Sequence, residues 1–165
     1  MTKSTIETIT FINKLVEFGW PFDEIELEKR LCVLGCDICE TVGHRKDFKL
    51  PNGLRACAYL DNDWCQIEID IDVYLEAEAL DETEYEKKLN EFQIKYEKTV
   101  CDVKNIVGEP GFSGTFADES FPDDQDAISL TLWQQRSSRF MVQLKHEGRE
   151  IPIRVTFVIA PLAEI

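Results

Sequence analysis

Three features of this 165-residue sequence predict an α+β fold: apolar residues at helical spacing near the start, a long amphipathic stripe over residues 81–107, and strict alternation over residues 67–73. The expected architecture is a mostly antiparallel sheet of about six strands. N-terminal helices and one long central helix pack on one face, and the other face meets water. The length fits a single domain over residues 1–165.

Residues 5–18 place Ile6, Ile9, Phe11, Ile12, Leu15, Val16 and Phe18 at three- and four-residue intervals, the stripe a surface helix buries. Ser4, with Glu7 three positions on, fits a capping box. Gly19-Trp20-Pro21 ends this helix. Asp23 opens a second, shorter helix through Ile25, Leu27, Leu31 and Leu34, and Gly35 stops it, because glycine enters left-handed backbone without a Cβ clash.

From Cys36 the pattern turns to strands. Leu50-Pro51-Asn52-Gly53 is a turn signal, since Asn-Gly favours tight hairpins. Residues 54–60 read as a strand and Asp61-Asn62-Asp63 as a turn. Ile67, Ile69, Ile71 and Val73 then alternate with Glu68, Asp70 and Asp72, so a strand here places aliphatics on one face and carboxylates on the other. In the long helix, Tyr85, Leu89, Phe92, Tyr96, Val100, Val103 and Val107 share one stripe, and Gly108-Glu109-Pro110-Gly111 stops it. A polar loop over residues 113–126 precedes three closing strands at 127–133, 140–146 and 151–159, with turns at Ser137-Ser138 and Glu147-Gly148.

Charge is the strongest functional signal. The 32 acids outnumber the 18 bases, for a formal net charge of -14. Such a field repels nucleic-acid phosphates and anionic membranes and attracts basic partners. The N-terminus carries no apolar core of signal-peptide length, and no apolar run approaches the ~20 residues that span a bilayer. A cytoplasmic setting is therefore expected, with the six cysteines as free thiols.

Residues 61–86 contain Asp61, Asp63, Glu68, Asp70, Asp72, Glu76, Glu78, Asp81, Glu82, Glu84 and Glu86, and no Lys or Arg. Residues 109–126 form a second acidic run. Trp64, Tyr74 and Phe121 lie close by in sequence as aromatic anchors. The expected binding surface is Asp61, Asp63, Trp64, Glu68, Asp70, Asp72, Glu76 and Glu78. It would meet a basic protein without turnover, as a monomer or a homodimer.

No catalytic, metal or cofactor site is expected. Cys32-x3-Cys36-x2-Cys39 has a spacing that resembles the iron–sulfur motif of radical SAM enzymes. Cys32, however, falls among apolar helical neighbours, which favours buried thiols. Cys36-x2-Cys39 is one knuckle where a structural zinc site pairs two, with Cys57, Cys65 or His44 to supply the rest, and a cysteine-ligated metal or redox protein is the alternative this spacing leaves open. The histidines, His44 and His146, stand outside any nucleophile–base motif, and no phosphate-binding or dinucleotide fingerprint is present.

The Gly19-Trp20-Pro21 opening, the Val107-Gly108-Glu109-Pro110 break after a long helix and the Trp133 strand resemble small acidic bacterial domains, among them immunity proteins of polymorphic toxin systems. That resemblance implies neutralisation of a basic toxin by covering its substrate site with acidic groups. The order of elements also resembles type III secretion chaperones, which implies a homodimer with a groove for an extended client. The early second helix, the long helix and the final strand depart from the chaperone pattern.

Overall fold

The computed structural model describes residues 3–17, 19–20, 23–61 and 64–162. In chain order these form α1 (Lys3–Val16), α2 (Glu24–Val33), β1 (Asp37–Val42), β2 (Arg45–Lys49), β3 (Arg55–Asp61), β4 (Trp64–Tyr74), α3 (Glu82–Val107), β5 (Phe112–Thr115), β6 (Ser129–Gln135), β7 (Ser138–Lys145) and β8 (Ile153–Pro161). A single 3-10 turn, Ala77–Ala79, precedes α3. The α+β class is as expected. The sheet order is β1-β2-β3-β4-β8-β7-β6-β5, two four-strand meanders whose last strands are neighbours. Among the described residues no helix is long and apolar enough to cross a membrane.

The sheet has eight strands where six were expected. Gly43, at φ 58°, turns the chain tightly and splits residues 37–49 into the antiparallel hairpin β1–β2. The other addition is β5, which pairs with β6 where a polar loop was expected to begin. The expectation of one face in water also needs correction. Every residue of β7 is buried, as is almost all of β8. Several of their polar groups have internal partners, although Gln143 Oε1 and Thr156 Oγ1 find none among the described residues. Arg139 Nε donates to Pro161 O (2.8 Å), and Gln143 Nε2 donates to Gln125 Oε1 (2.8 Å). A buried polar group with a partner leaves the same alternation in sequence as one facing water.

The chain divides into two compact units. The first comprises residues 1–69, 134–140 and 158–165. Within it, α1 buries Ile9, Phe11, Ile12, Leu15 and Val16. Ser4 lies inside α1, so the expected Ser4–Glu7 capping box does not form; the Ser4 carbonyl instead accepts from Thr8 Oγ1. Phe18 and Pro21 lie outside the described residues. Asp23 caps α2, accepting from Glu26 N. Gly35, at φ 79°, closes α2 in a Schellman arrangement: Cys36 N donates to Leu31 O and Gly35 N to Cys32 O. Arg30 reaches back to the carbonyls of Leu15 and Gly19 and fixes the end of α1.

Lys46 is only 1% exposed. Its ammonium is held by Glu24 and Glu28, one turn apart on α2. Burial disfavours the charge, but the hydrogen bonds to Glu28 and Glu24 outweigh it and raise the pKa above the usual lysine value.

The second unit comprises residues 70–133 and 141–157. Asp81 and Glu84 form a reciprocal capping box that starts α3. Phe92, Tyr96 and Val103 supply the buried face, and Tyr96 Oη lies 2.7 Å from Thr131 Oγ1. Trp133 Nε1 donates to Gly108 O at 2.8 Å. The Val107-Gly108 break and the Trp133 strand are therefore physically joined.

Candidate functional site

The acids of residues 61–86 have three different fates. On β4 they are engaged. Glu68 is 4% exposed and accepts from Gln66 Nε2 at 3.0 Å. Asp70 pairs with Arg154 (3.4 Å), both half-buried. Asp72 pairs with Lys95 (2.6 Å), which also reaches Glu91 (3.1 Å). Burial opposes the Lys95 charge, but the hydrogen bonds to Asp72 and Glu91 raise its pKa. Glu91 is held below the usual carboxylate range by hydrogen bonds from Lys88 and Lys95. The solvated carboxylate face expected for β4 is thus corrected: one acid is buried and two have cations from their own chain.

The second fate is local structure. Asp81 and Glu84 cap α3, and Glu82 pairs with Arg149. The third is open surface. Glu76, Glu78 and Glu86 are exposed, and among the described residues none of them meets a cation. Leu75, immediately before Glu76, is 73% exposed. An exposed aliphatic beside unpaired carboxylates is the composition of a protein-contact anchor with a charged rim.

The remaining expected residues are placed as follows. Asp61 ends β3 at an exposed position, with Trp64 as its partner in register at the start of β4. Asp63 lies outside the described residues. Tyr74 is covered by the Lys88 ammonium, 4.9 Å from its ring centre, and Phe121 packs edge-on against Phe112 at 6.3 Å. Neither aromatic is therefore presented as a free anchor. The aromatic presented is Phe116, 72% exposed, directly after β5.

Phe116 stands on a shaped loop. The Asp118 carboxylate accepts from Thr115 N (2.6 Å) and Thr115 Oγ1 (3.2 Å). It fits because residue 114 is glycine; a Cβ there would lie 2.5 Å from Asp118 Oδ2 and 2.7 Å from Phe112 Cζ. Gln125, buried, accepts from Gln143 and ties the far end of the loop to β7. Glu119, Asp123 and Asp126 project from this loop without a cation among the described residues. Leu75 escaped sequence reasoning because it reads as the last apolar residue of a strand, and Phe116 because it falls in a stretch that reads as a polar loop. Their signal is position: each lies one step beyond the ladder and is followed within two residues by an acid.

The cysteines are distributed. Cys32, Cys39 and Cys101 are exposed; Cys36, Cys57 and Cys65 are buried. Burial, with smaller effects from Cys32 and Asp37, pushes the Cys36 thiol up to about 12, and burial alone does the same for Cys65. These thiols stay protonated at neutral pH and are poor nucleophiles and ligands. Among the described residues no three His, Cys, Asp or Glu side chains group as a metal site. A cleft of about 410 Å³ in the first unit is lined by Phe11, Lys14, Val33, Leu50 and Pro51, among others, and contains no cysteine or histidine.

No family model, curated protein or solved structure matches this chain significantly.

Proposed function

We propose that this protein is a non-enzymatic binding protein that masks a basic protein, with a toxin domain as the partner that the resemblance to immunity proteins implies. The observation that carries the reading is the exposed, unpaired pair Glu76 and Glu78 beside the exposed Leu75. The binding surface therefore moves from β4 to the segment after it, with the Phe116 loop as a second contact of the same composition. Carboxylates without internal partners keep their full field for an incoming cation, and an exposed apolar neighbour gives the contact something to bury.

The sheet edges favour this reading over a chaperone-like dimer. Edge strand β1 carries a register irregularity between Ile38 and Glu40 together with the acids Asp37 and Glu40. On edge strand β5, the Thr115 N–H is already taken by Asp118. Bulges and edge charges discourage strand addition.

The test is affinity capture from the source lysate at low salt, eluted by a salt gradient and read by mass spectrometry, with wild type and Glu76→Lys/Glu78→Lys side by side. A single basic protein retained by wild type and lost by the variant supports the proposal. Equal retention by both would remove it.

A further inference from the structure

We propose that Tyr85 and His146 form an acid-opened latch that holds the turn after β7 against the first turns of α3. Tyr85 Oη lies 2.7 Å from His146 Nε2, with the rings 5.5 Å apart and tilted by 48°. The other imidazole nitrogen, Nδ1, is buried and among the described residues has no hydrogen-bond partner. The Arg149 guanidinium stacks over the Tyr85 ring, 4.4 Å from its centre, and pairs with Glu82. The turn thus grips α3 through two neighbouring side chains, His146 and Arg149.

Tyr85 faces His146 from α3, with Glu82 and Lys88 three residues to either side of it. The turn supplies Arg149, and Lys145 and Glu147 flank His146 in sequence.

Neutral imidazole suits this setting, because one nitrogen exchanges a hydrogen bond with the Tyr85 hydroxyl and the other can remain a bare lone pair. Protonation makes both nitrogens donors. The added Nδ1–H then has no acceptor among the described residues. A buried donor left unpaired is far costlier than one in water, so the ring swings out and releases the turn. This device is independent of the proposed partner.

Amide hydrogen exchange on the full chain tests it, with protection factors corrected for intrinsic rates at about pH 7.5 and about pH 5, either side of the ordinary histidine value of about 6.5. In wild type, protection over residues 146–150, relative to the middle of α3, should fall by about tenfold or more on acidification. In His146→Gln it should stay level, because the amide bonds Tyr85 without titrating. Tyr85→Phe, which keeps the ring under Arg149, should show low protection at both values. Level protection in wild type would overturn the proposal. So would an equal fall in His146→Gln or, should that variant not fold, a wild-type pH response in Tyr85→Phe.

Discussion

β4 and the segment that follows it carry acids at similar density, yet the structure treats them in opposite ways. Glu68, Asp70 and Asp72 are buried or answered by Arg154 and Lys95. Glu76 and Glu78, a few residues on, face solvent with no cation among the described residues. The same contrast separates Glu24 and Glu28, which hold the buried Lys46, from Glu119 and Asp123 on the Phe116 loop. Charge density along a chain therefore does not mark a binding surface. What marks it is the charge that the fold leaves unanswered.

If the comparison is right, substitutions should separate stability from binding. The largest stability effect should come from Lys46. Lys46→Ala removes a buried stem and the ammonium between two carboxylates, and should cost about 2–4 kcal/mol by denaturant unfolding. Lys46→Met keeps the volume and should recover most of it, to within about 1 kcal/mol of wild type. The pH dependence follows from the raised folded pKa. The stabilisation by the Lys46 charge is complete below the unfolded value of 10.5 and disappears as pH rises through the folded pKa, so alkaline unfolding should be steeper in wild type than in Lys46→Met.

Asp70→Asn should come next. It breaks a half-buried pair and should cost about 1 kcal/mol by the same measurement. Asp72→Asn should cost less, about 0.5 kcal/mol, because Lys95 keeps Glu91 and the site is wetter. Glu76→Lys/Glu78→Lys should leave stability within about 0.5 kcal/mol, since neither carboxylate has an internal partner. A loss of more than about 1 kcal/mol in that double variant would blur the contrast. Thiol titration sharpens it from another side: Cys32, Cys39 and Cys101 should react in the folded protein, and Cys36, Cys57 and Cys65 only after unfolding.

Much of the fold was legible because its signals are local. Asp23, Gly35, Asp81 and the alternation of β4 act through their own neighbours, and each sits where its chemistry requires. The extra strands were not legible. β1 is exposed along its whole length and so lacks an apolar face, and β5 is four residues long and exists through its pairing with β6. The site was legible in charge and not in address. Arg154 lies 84 residues from Asp70, and Lys95 lies on a different element from Asp72. Nothing local in residues 67–73 announces those partners, so paired and unpaired acids look alike until the chain is folded.

The most direct test of the central claim is the affinity of the captured basic partner, titrated calorimetrically at low and at near-physiological ionic strength. It compares wild type, Asp70→Asn/Asp72→Asn and Leu75→Ser/Glu76→Lys/Glu78→Lys. The account predicts that the triple variant loses at least about tenfold in affinity and much of the salt dependence, while the β4 variant binds as wild type does. Loss of binding in the β4 variant with the triple variant unchanged would contradict it and return the surface to the paired acids of the strand.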